Sequence, residues 1–307
     1  MDNDENRLMW LSGNIIPVKD AMINVLTPTS QFGANVFEGI RCYWNEEEKQ
    51  LYAFRLNDHY NRLFNSMRLF QMESTFTKKD FENSLFDVVK ANNYREDIAV
   101  RQTVFVTGYG TWSSKGPVDM FVAPIAKSRR NSLKTQSCCI SSWTRINDNN
   151  MSPRAKVGAN YINSRLGHLE AQENGYDTCI FLNEEGHISE GPGSCLFIIK
   201  NNTIITPPLN ASVLESITRD TILFLAENIL NINTEVRTID RTELYLCDEA
   251  FLCGSAMEVG PISKIDAYSI NHGTIGEITK LIHECYIKIV DGRIHVDKTW
   301  LTPIYHK

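Results

Sequence analysis

A polar stretch, Lys127-Ser-Arg-Arg-Asn-Ser-Leu-Lys134, divides this chain into two segments of different texture. Boundaries between folding units fall in exposed, polar segments, and 307 residues suffice for two medium domains, each with its own core. The expected organisation is a small N-terminal domain over residues 1–127, a linker over 128–134 and a larger domain over 135–307.

Before the boundary the pattern runs strands, helices, strands. Residues 35–43 alternate loosely and are rich in Val, Phe, Ile and Tyr; a polar turn at 45–50 separates them from Leu51-Tyr-Ala-Phe54, which predicts a hairpin. Asn57 or Asp58 can cap a helix carrying Leu63, Met67 and Phe70 on one face. Residues 78–91 read as a second amphipathic helix, and 98–107 and 120–125 as strands flanking the loop 108–117.

After the boundary, 138–143 is strand-like and 159–173 has helical spacing through Ile162, Leu166 and Leu169. Short apolar runs at 179–182, 195–199 and 203–205 are separated by turns, with a hairpin signal at Asn201-Asn202. Residues 217–229 form a helix with Ile222, Leu225, Ala226 and Ile229 on one stripe. The class is α+β, rich in antiparallel strands.

Bulk properties narrow the function. A net charge of −6 argues against nucleic acid, whose phosphates require a basic face. No run of about 18 apolar residues is present to span a membrane. The first six residues are acidic where a secretory signal is basic. Eight scattered cysteines without a Cys-x-x-Cys read as buried, reduced thiols of a cytoplasmic protein. No metal is expected: His283-Glu284-Cys285 places its candidate ligands side by side, where helical neighbours point apart, and reads as a surface helix.

The chemistry concentrates in three places. Lys156 lies in Lys156-Val-Gly-Ala-Asn-Tyr161, where Gly158 permits close approach of a planar ring. A lysine that forms a Schiff base needs surroundings that leave its amine neutral part of the time. Glu190 lies in Ser189-Glu-Gly-Pro-Gly193, a turn between strands, and can hold a proton on a pyridine nitrogen. Ser216 is positioned as the N-cap of the helix beginning at Ile217, so the N–H groups of Ile217 and Thr218 offer an anion site. Taken singly, each reads more simply as a solvated lysine, a turn carboxylate and an ordinary cap.

Six segments in order and at consistent spacing resemble the fold-type IV pyridoxal-phosphate enzymes and, among them, the branched-chain amino acid aminotransferases. They are Phe37-Glu-Gly-Ile-Arg-Cys-Tyr43, Asp58-His-Tyr-Asn-Arg-Leu63, Lys156-Val-Gly-Ala-Asn-Tyr161, Ser189-Glu-Gly-Pro-Gly193, Ser216-Ile-Thr-Arg-Asp220 and Cys253-Gly-Ser-Ala-Met-Glu258. The resemblance spans residues 8–291 and implies a D-amino-acid-aminotransferase-like fold, with pyridoxal 5'-phosphate at the interface of a smaller N-terminal and a larger C-terminal domain. It implies that Lys156 binds the cofactor covalently and shuttles the α-proton, that Glu190 meets the pyridine nitrogen and Tyr161 the phenolic oxygen, and that Leu214 packs on the ring face. Arg62, Ile217, Thr218 and Ser255 would hold the phosphate. Ser255 and Ala256 would receive the substrate α-carboxylate, Phe37 and Tyr109 would line the side-chain pocket, and Arg101 would take the distal carboxylate of glutamate.

The implied reaction is transamination of an L-amino acid, branched-chain by default, with 2-oxoglutarate, in a homodimer or larger homo-oligomer. Three departures bear on substrate. Ala99 stands where bacterial members usually carry tyrosine, the loop Thr107-Gly-Tyr-Gly-Thr-Trp112 adds two bulky rings near the expected pocket, and Ser194-Cys195 replaces a frequent Glu-Asn. A same-fold transaminase of another amino acid, a D-amino-acid transaminase and an aminodeoxychorismate-type lyase are the alternatives; a fold that binds cofactor without catalysis would lack the intact Lys156, Tyr161, Glu190 and Arg62.

Overall fold

The protein is described by a computed structural model covering residues 7–305, so the acidic first residues lie outside the described part. Its strands are β1 (Leu8–Leu11), β2 (Asn14–Pro17), β3 (Asn35–Asn45), β4 (Gln50–Phe54), β5 (Ile98–Val106), β6 (Val118–Ala126), β7 (Gln136–Thr144), β8 (Thr178–Leu182), β9 (Cys195–Lys200), β10 (Thr203–Thr206), β11 (Thr234–Val236), β12 (Glu249–Gly254), β13 (Glu258–Ile265), β14 (Tyr268–Ser269) and β15 (Leu301–Pro303). Its α-helices are α1 (Pro28–Phe32), α2 (Leu56–Leu69), α3 (Lys78–Asn92), α4 (Tyr161–Glu173), α5 (Ile217–Asn228) and α6 (Glu277–Val290). No helix among the described residues is long and apolar enough to cross a membrane.

The chain forms two compact units. The first comprises the chain up to Arg129, the short segment Ala155–Ala159 and the chain from Ile289 on; the second comprises Arg130–Arg154 and Asn160–Lys288. The break between Arg129 and Arg130 falls inside the polar stretch. Two segments beyond it return to the first unit, which residue order alone does not indicate. The C-terminal return has a physical cause: β15 pairs antiparallel with β4, and Ile304 just beyond it enters the first core.

The first unit is a seven-stranded antiparallel sheet in the order β15-β4-β3-β5-β6-β1-β2. α2 and α3 supply Leu63, Met67, Phe81, Leu85 and Val88 to its core, all 4 % exposed or less. Burying each such side chain contributes about 1.5–3 kcal/mol. Thr77 opens α3 with a complete capping box to Asp80. α2 starts earlier than expected. Its N-cap is Arg55, in the left-handed region at φ 50°, and Asp58 instead accepts from Arg55 Nε at 2.7 Å. Phe70 is the C-cap and packs, partly buried, against the same core as Leu63 and Met67.

The second unit is built on an eight-stranded sheet, β11-β10-β9-β12-β13-β7-β8 with β14 beside β13. Asn201 and Asn202 adopt φ of 50° and 60° and close the expected β9–β10 hairpin. Phe197 and Phe251 stack at 5.1 Å between rings on β9 and β12.

α4 differs from expectation. Ile162, Leu166 and Leu169 are exposed (61, 37 and 37 %), and the helix buries Ser164, Gly167 and Ala171. A Cβ at Gly167 would lie 2.5 Å from Phe181 Cζ and 3.0 Å from Cys179 Sγ, so the small face alone fits β8. On α6, His283 and Cys285 are buried, not on an exposed face.

Candidate active site

In the first unit, residues 155–159 form a strap along β3. Lys156 O accepts the Phe37 N–H at 3.0 Å, Gly158 N–H donates to Asn35 O at 3.0 Å, and Val36 bridges Val157. From the other side, Lys156 N–H donates to Ser66 Oγ of α2 at 3.0 Å, while Ala155 and Val157 are buried in the core. Lys156 is thereby fixed at its backbone, and its Nζ lies 5.0 Å from the Phe37 ring centroid. Gly158 has a tighter reason to be glycine than approach to a ring: a Cβ there would lie 2.4 Å from Asn35 Oδ1.

Phe37 also carries the Arg101 guanidinium, 3.5 Å from its ring centroid. The β3–β5 register explains the contact, since Arg101 pairs with Gly39 and Phe37 with Thr103, a diagonal neighbour. Ala99 pairs with Arg41. Tyr109 and Trp112 stand out from their unit, 80 and 77 % exposed, and Asn24 Nδ2 donates to Tyr109 Oη at 3.3 Å.

Beneath the strap lies a buried charge cluster. Arg62 Nε and Nη2 donate to the two oxygens of Glu38 at 2.7 Å each, and His59 Nδ1 lies 2.7 Å from Glu38 Oε2. Burial pushes the Glu38 carboxyl up, but Arg62 and His59 outweigh it and hold the group well below its usual value. Burial pulls His59 down, opposed in part by Glu38. Arg62 thus gives two of its donors to Glu38, a partner inside the quoted motifs whose role the sequence did not indicate.

In the second unit, Glu190 is 3 % exposed. Its Oε1 accepts from Arg145 Nε at 2.9 Å, and its Oε2 from the Leu214 N–H at 3.2 Å. Arg145 Nη1 donates to Asn163 Oδ1 at 3.0 Å, and Asn163 Nδ2 to Thr144 O at 2.9 Å. Arg145 and Asn163 escape sequence reading, because neither stands near Glu190 in the chain.

Ser216 caps α5 as expected, in extended backbone (φ −80°, ψ 126°), with its Oγ accepting the Arg219 N–H at 3.2 Å. Ile217 and Thr218 form the first turn of α5, at the positive end of its dipole. Ser255, Ala256 and Met257 form the turn between β12 and β13, closed by Met257 N–H to Gly254 O at 3.0 Å. A Cβ at Gly254 would lie 3.3 Å from Gly193 O, so this turn packs on the Glu190 turn; a Cβ at Gly193 would lie 3.8 Å from Tyr161 Cε1. The second unit gathers Tyr161, Glu190, Leu214, the start of α5 and the 255–257 turn; the first gathers Phe37, Arg62, Arg101 and Lys156.

An anchored amine, a buried carboxylate held by a guanidinium and a capped helix start are the donor types that a phosphorylated pyridine aldehyde needs. The profile of the amino-transferase class IV family matches residues 35–265. The chain belongs to the class IV aminotransferases. Among curated class IV relatives, a probable branched-chain-amino-acid aminotransferase of Aquifex aeolicus is 38 % identical, covering 97 % of each chain. The branched-chain-amino-acid aminotransferase of Escherichia coli K12 is 31 % identical, covering 96 % of this chain and 97 % of the relative. Among solved structures, the branched-chain amino acid aminotransferase of Thermobaculum terrenum in its pyridoxal-phosphate form superposes with a TM-score of 0.93 at 41 % identity, over 99 % of this chain and 100 % of that one. The branched-chain aminotransferase of the archaeon Thermoproteus uzoniensis, solved with norvaline, gives 0.90 at 35 %, over 97 and 99 %. These fold-type IV likenesses fit the mixed architecture of two sheets flanked by helices.

Proposed function

We propose that this chain is a pyridoxal 5'-phosphate-dependent aminotransferase that exchanges the amino group of a branched-chain L-amino acid, leucine, isoleucine or valine, with 2-oxoglutarate. The observation that carries it is Lys156, tied at N–H to Ser66 and at O to Phe37, with its amine beside the Phe37 ring. The printed functions of the relatives, at up to 41 % identity over nearly the whole chain, supply the substrate class.

Bound pyridoxal 5'-phosphate supplies an electron-withdrawing ring at which the amino group is exchanged. Lys156 Nζ would hold it, and would remove the substrate α-proton and return it. Glu190 meets the pyridine nitrogen, with its carboxylate orientation set by Arg145 and the Leu214 N–H. Tyr161 donates toward the phenolic oxygen, and Leu214 covers the ring. Arg62, the N–H groups of Ile217 and Thr218, and the Ser255 hydroxyl hold the phosphate. The N–H groups of the Ser255–Ala256 turn receive the α-carboxylate. Phe37 and Tyr109 shape the side-chain pocket, and Arg101 receives the distal carboxylate of the dicarboxylate partner.

Self-association, as a homodimer or larger assembly, is supported by the exposed Met22, Val25 and Leu26 beside the exposed Tyr109, which Asn24 joins to their segment. Sedimentation velocity tests it. Eight free, buried cysteines support a reducing, cytoplasmic setting.

The deciding experiment is an amino-donor screen with 2-oxoglutarate as acceptor, offering L- and D-amino acids to the wild-type enzyme and to Lys156→Ala. Glutamate formation from branched-chain L-donors, abolished in the variant, is the expected result. Turnover retained without the lysine, or confined to D-donors, overturns the reading.

A further inference from the structure

The second unit contains a cationic cavity of about 470 Å³ that shares Tyr161 and Ala256 with the proposed site but is otherwise lined by residues to which that site gives no role. One face of α4 lines it with Ser164, Arg165, His168 and Leu169, at offsets of three and four residues that stack side chains on one side of a helix. The rest of its wall includes Arg130, Thr178 and the turns that hold Gly193 and Ala256.

The charged side chains of its lining are basic. No Asp or Glu lines it. The side chains of Arg130, Arg165 and His168 form no ion pair among the described residues, whereas Arg145, Arg154, Arg237 and Arg241 of the same unit each meet a carboxylate. Glu258 accepts the Arg130 backbone N–H at 2.7 Å. The hydroxyl residues Ser164 and Thr178, 4 and 7 % exposed, add donors on the same wall. Two guanidinium groups facing one concavity repel one another unless an anion joins them. The volume exceeds what a bare ion fills, and the apolar Leu169, Pro192 and Met257 accommodate an organic body.

We propose that this cavity binds a small organic oxyanion, a dicarboxylate or a phosphomonoester, held by Arg130, Arg165 and His168. Its wall includes the Ala256 turn, so occupancy would brace the segment proposed to receive the substrate α-carboxylate. The binding itself does not depend on the transamination reading.

The test is calorimetric titration of the cofactor-loaded enzyme at low ionic strength, separately with inorganic phosphate and with malonate. Loading the cofactor keeps its own phosphate site filled. Saturable binding of either probe supports the site only where the variants below weaken it, because malonate can also enter the dicarboxylate site proposed at Arg101; the probe that binds more tightly by this criterion names the source as phosphate or carboxylate. Removing charge-assisted donors in an Arg165→Gln, His168→Gln double variant should weaken that binding ~10-fold or more. Leu169→Glu, an exposed position four residues after Arg165, should abolish it by supplying an internal counter-charge. Neither change touches a core contact, and thermal denaturation of each variant checks that it is folded. Failure of both probes to saturate, or wild-type affinity in the folded variants, overturns the proposal.

Discussion

Arg145 donates through Nε to Glu190 Oε1 at 2.9 Å, and Asn163 holds the guanidinium from its other end at 3.0 Å. Both charges are buried, at 8 and 3 % exposure. A carboxylate meant to engage a ring nitrogen must not rotate, and Arg145 with the Leu214 N–H fixes both of its oxygens. Arg145→Leu should therefore lower turnover about 10–100-fold, the range seen when a group that orients a ligating residue is lost. Because the positioning role concerns the ring nitrogen, the absorbance maximum of the bound cofactor should shift in the same variant. Lost turnover with an unchanged spectrum would make Arg145 a purely structural residue.

Glu38 carries the acid sensitivity of the first unit. Its carboxyl is held below the usual value of 4.5, so the stability that it contributes is complete above that pH and is lost as pH falls toward the folded value. His59 acts in the same direction: burial lowers it from 6.5, so the unfolded chain takes up its proton before the folded one and stability erodes as pH drops below 6.5. Urea titrations from pH 7 to 4 should show stability falling as pH drops below 6.5, from His59, and again below 4.5, from Glu38. His59→Gln should flatten the upper part of that range. Glu38→Ala should cost about 3–5 kcal/mol at pH 7, because it strands a buried guanidinium.

Arg101 stacks on Phe37 at 3.5 Å and is exposed in its unit, so a substrate carboxylate can reach its guanidinium. Arg101→Leu should raise KM for 2-oxoglutarate by ~10–100-fold, the value of one to two charge-assisted hydrogen bonds. KM for a branched aliphatic 2-oxo acid should change little. Equal losses for both substrates would place the distal-carboxylate contact elsewhere.

What the sequence made legible is what local chemistry encodes. Ser216 reads as a cap because a hydroxyl before an apolar helix satisfies an N–H three residues on, and it does so. The paired asparagines read as a hairpin because they tolerate left-handed backbone. Non-local partners were hidden. Arg145 meets Glu190 across 45 positions and Arg62 meets Glu38 across 24, and nothing near either carboxylate announces its cation. The return of the chain from Ile289 on to the first unit was hidden for the same reason, since β15 finds its partner in β4.

The inverted face of α4 shows where periodicity misleads and gives the sharpest structural prediction. Ile162, Leu166 and Leu169 have the spacing of a core stripe, yet they are exposed, because close packing rather than hydrophobicity selects the buried side. Phe181 occupies the space that any side chain at 167 would need, and Phe181 is itself fully buried on β8. Gly167→Ala gains helix propensity of about 1 kcal/mol, yet should still destabilise the protein by about 1–3 kcal/mol through overpacking. Ile162→Ser, on the supposed core face, should change the stability of the isolated chain by no more than about 0.5 kcal/mol. Thermal unfolding of the two variants decides between the faces. If the isoleucine substitution proves costly while the glycine substitution is neutral, α4 packs by its apolar stripe after all.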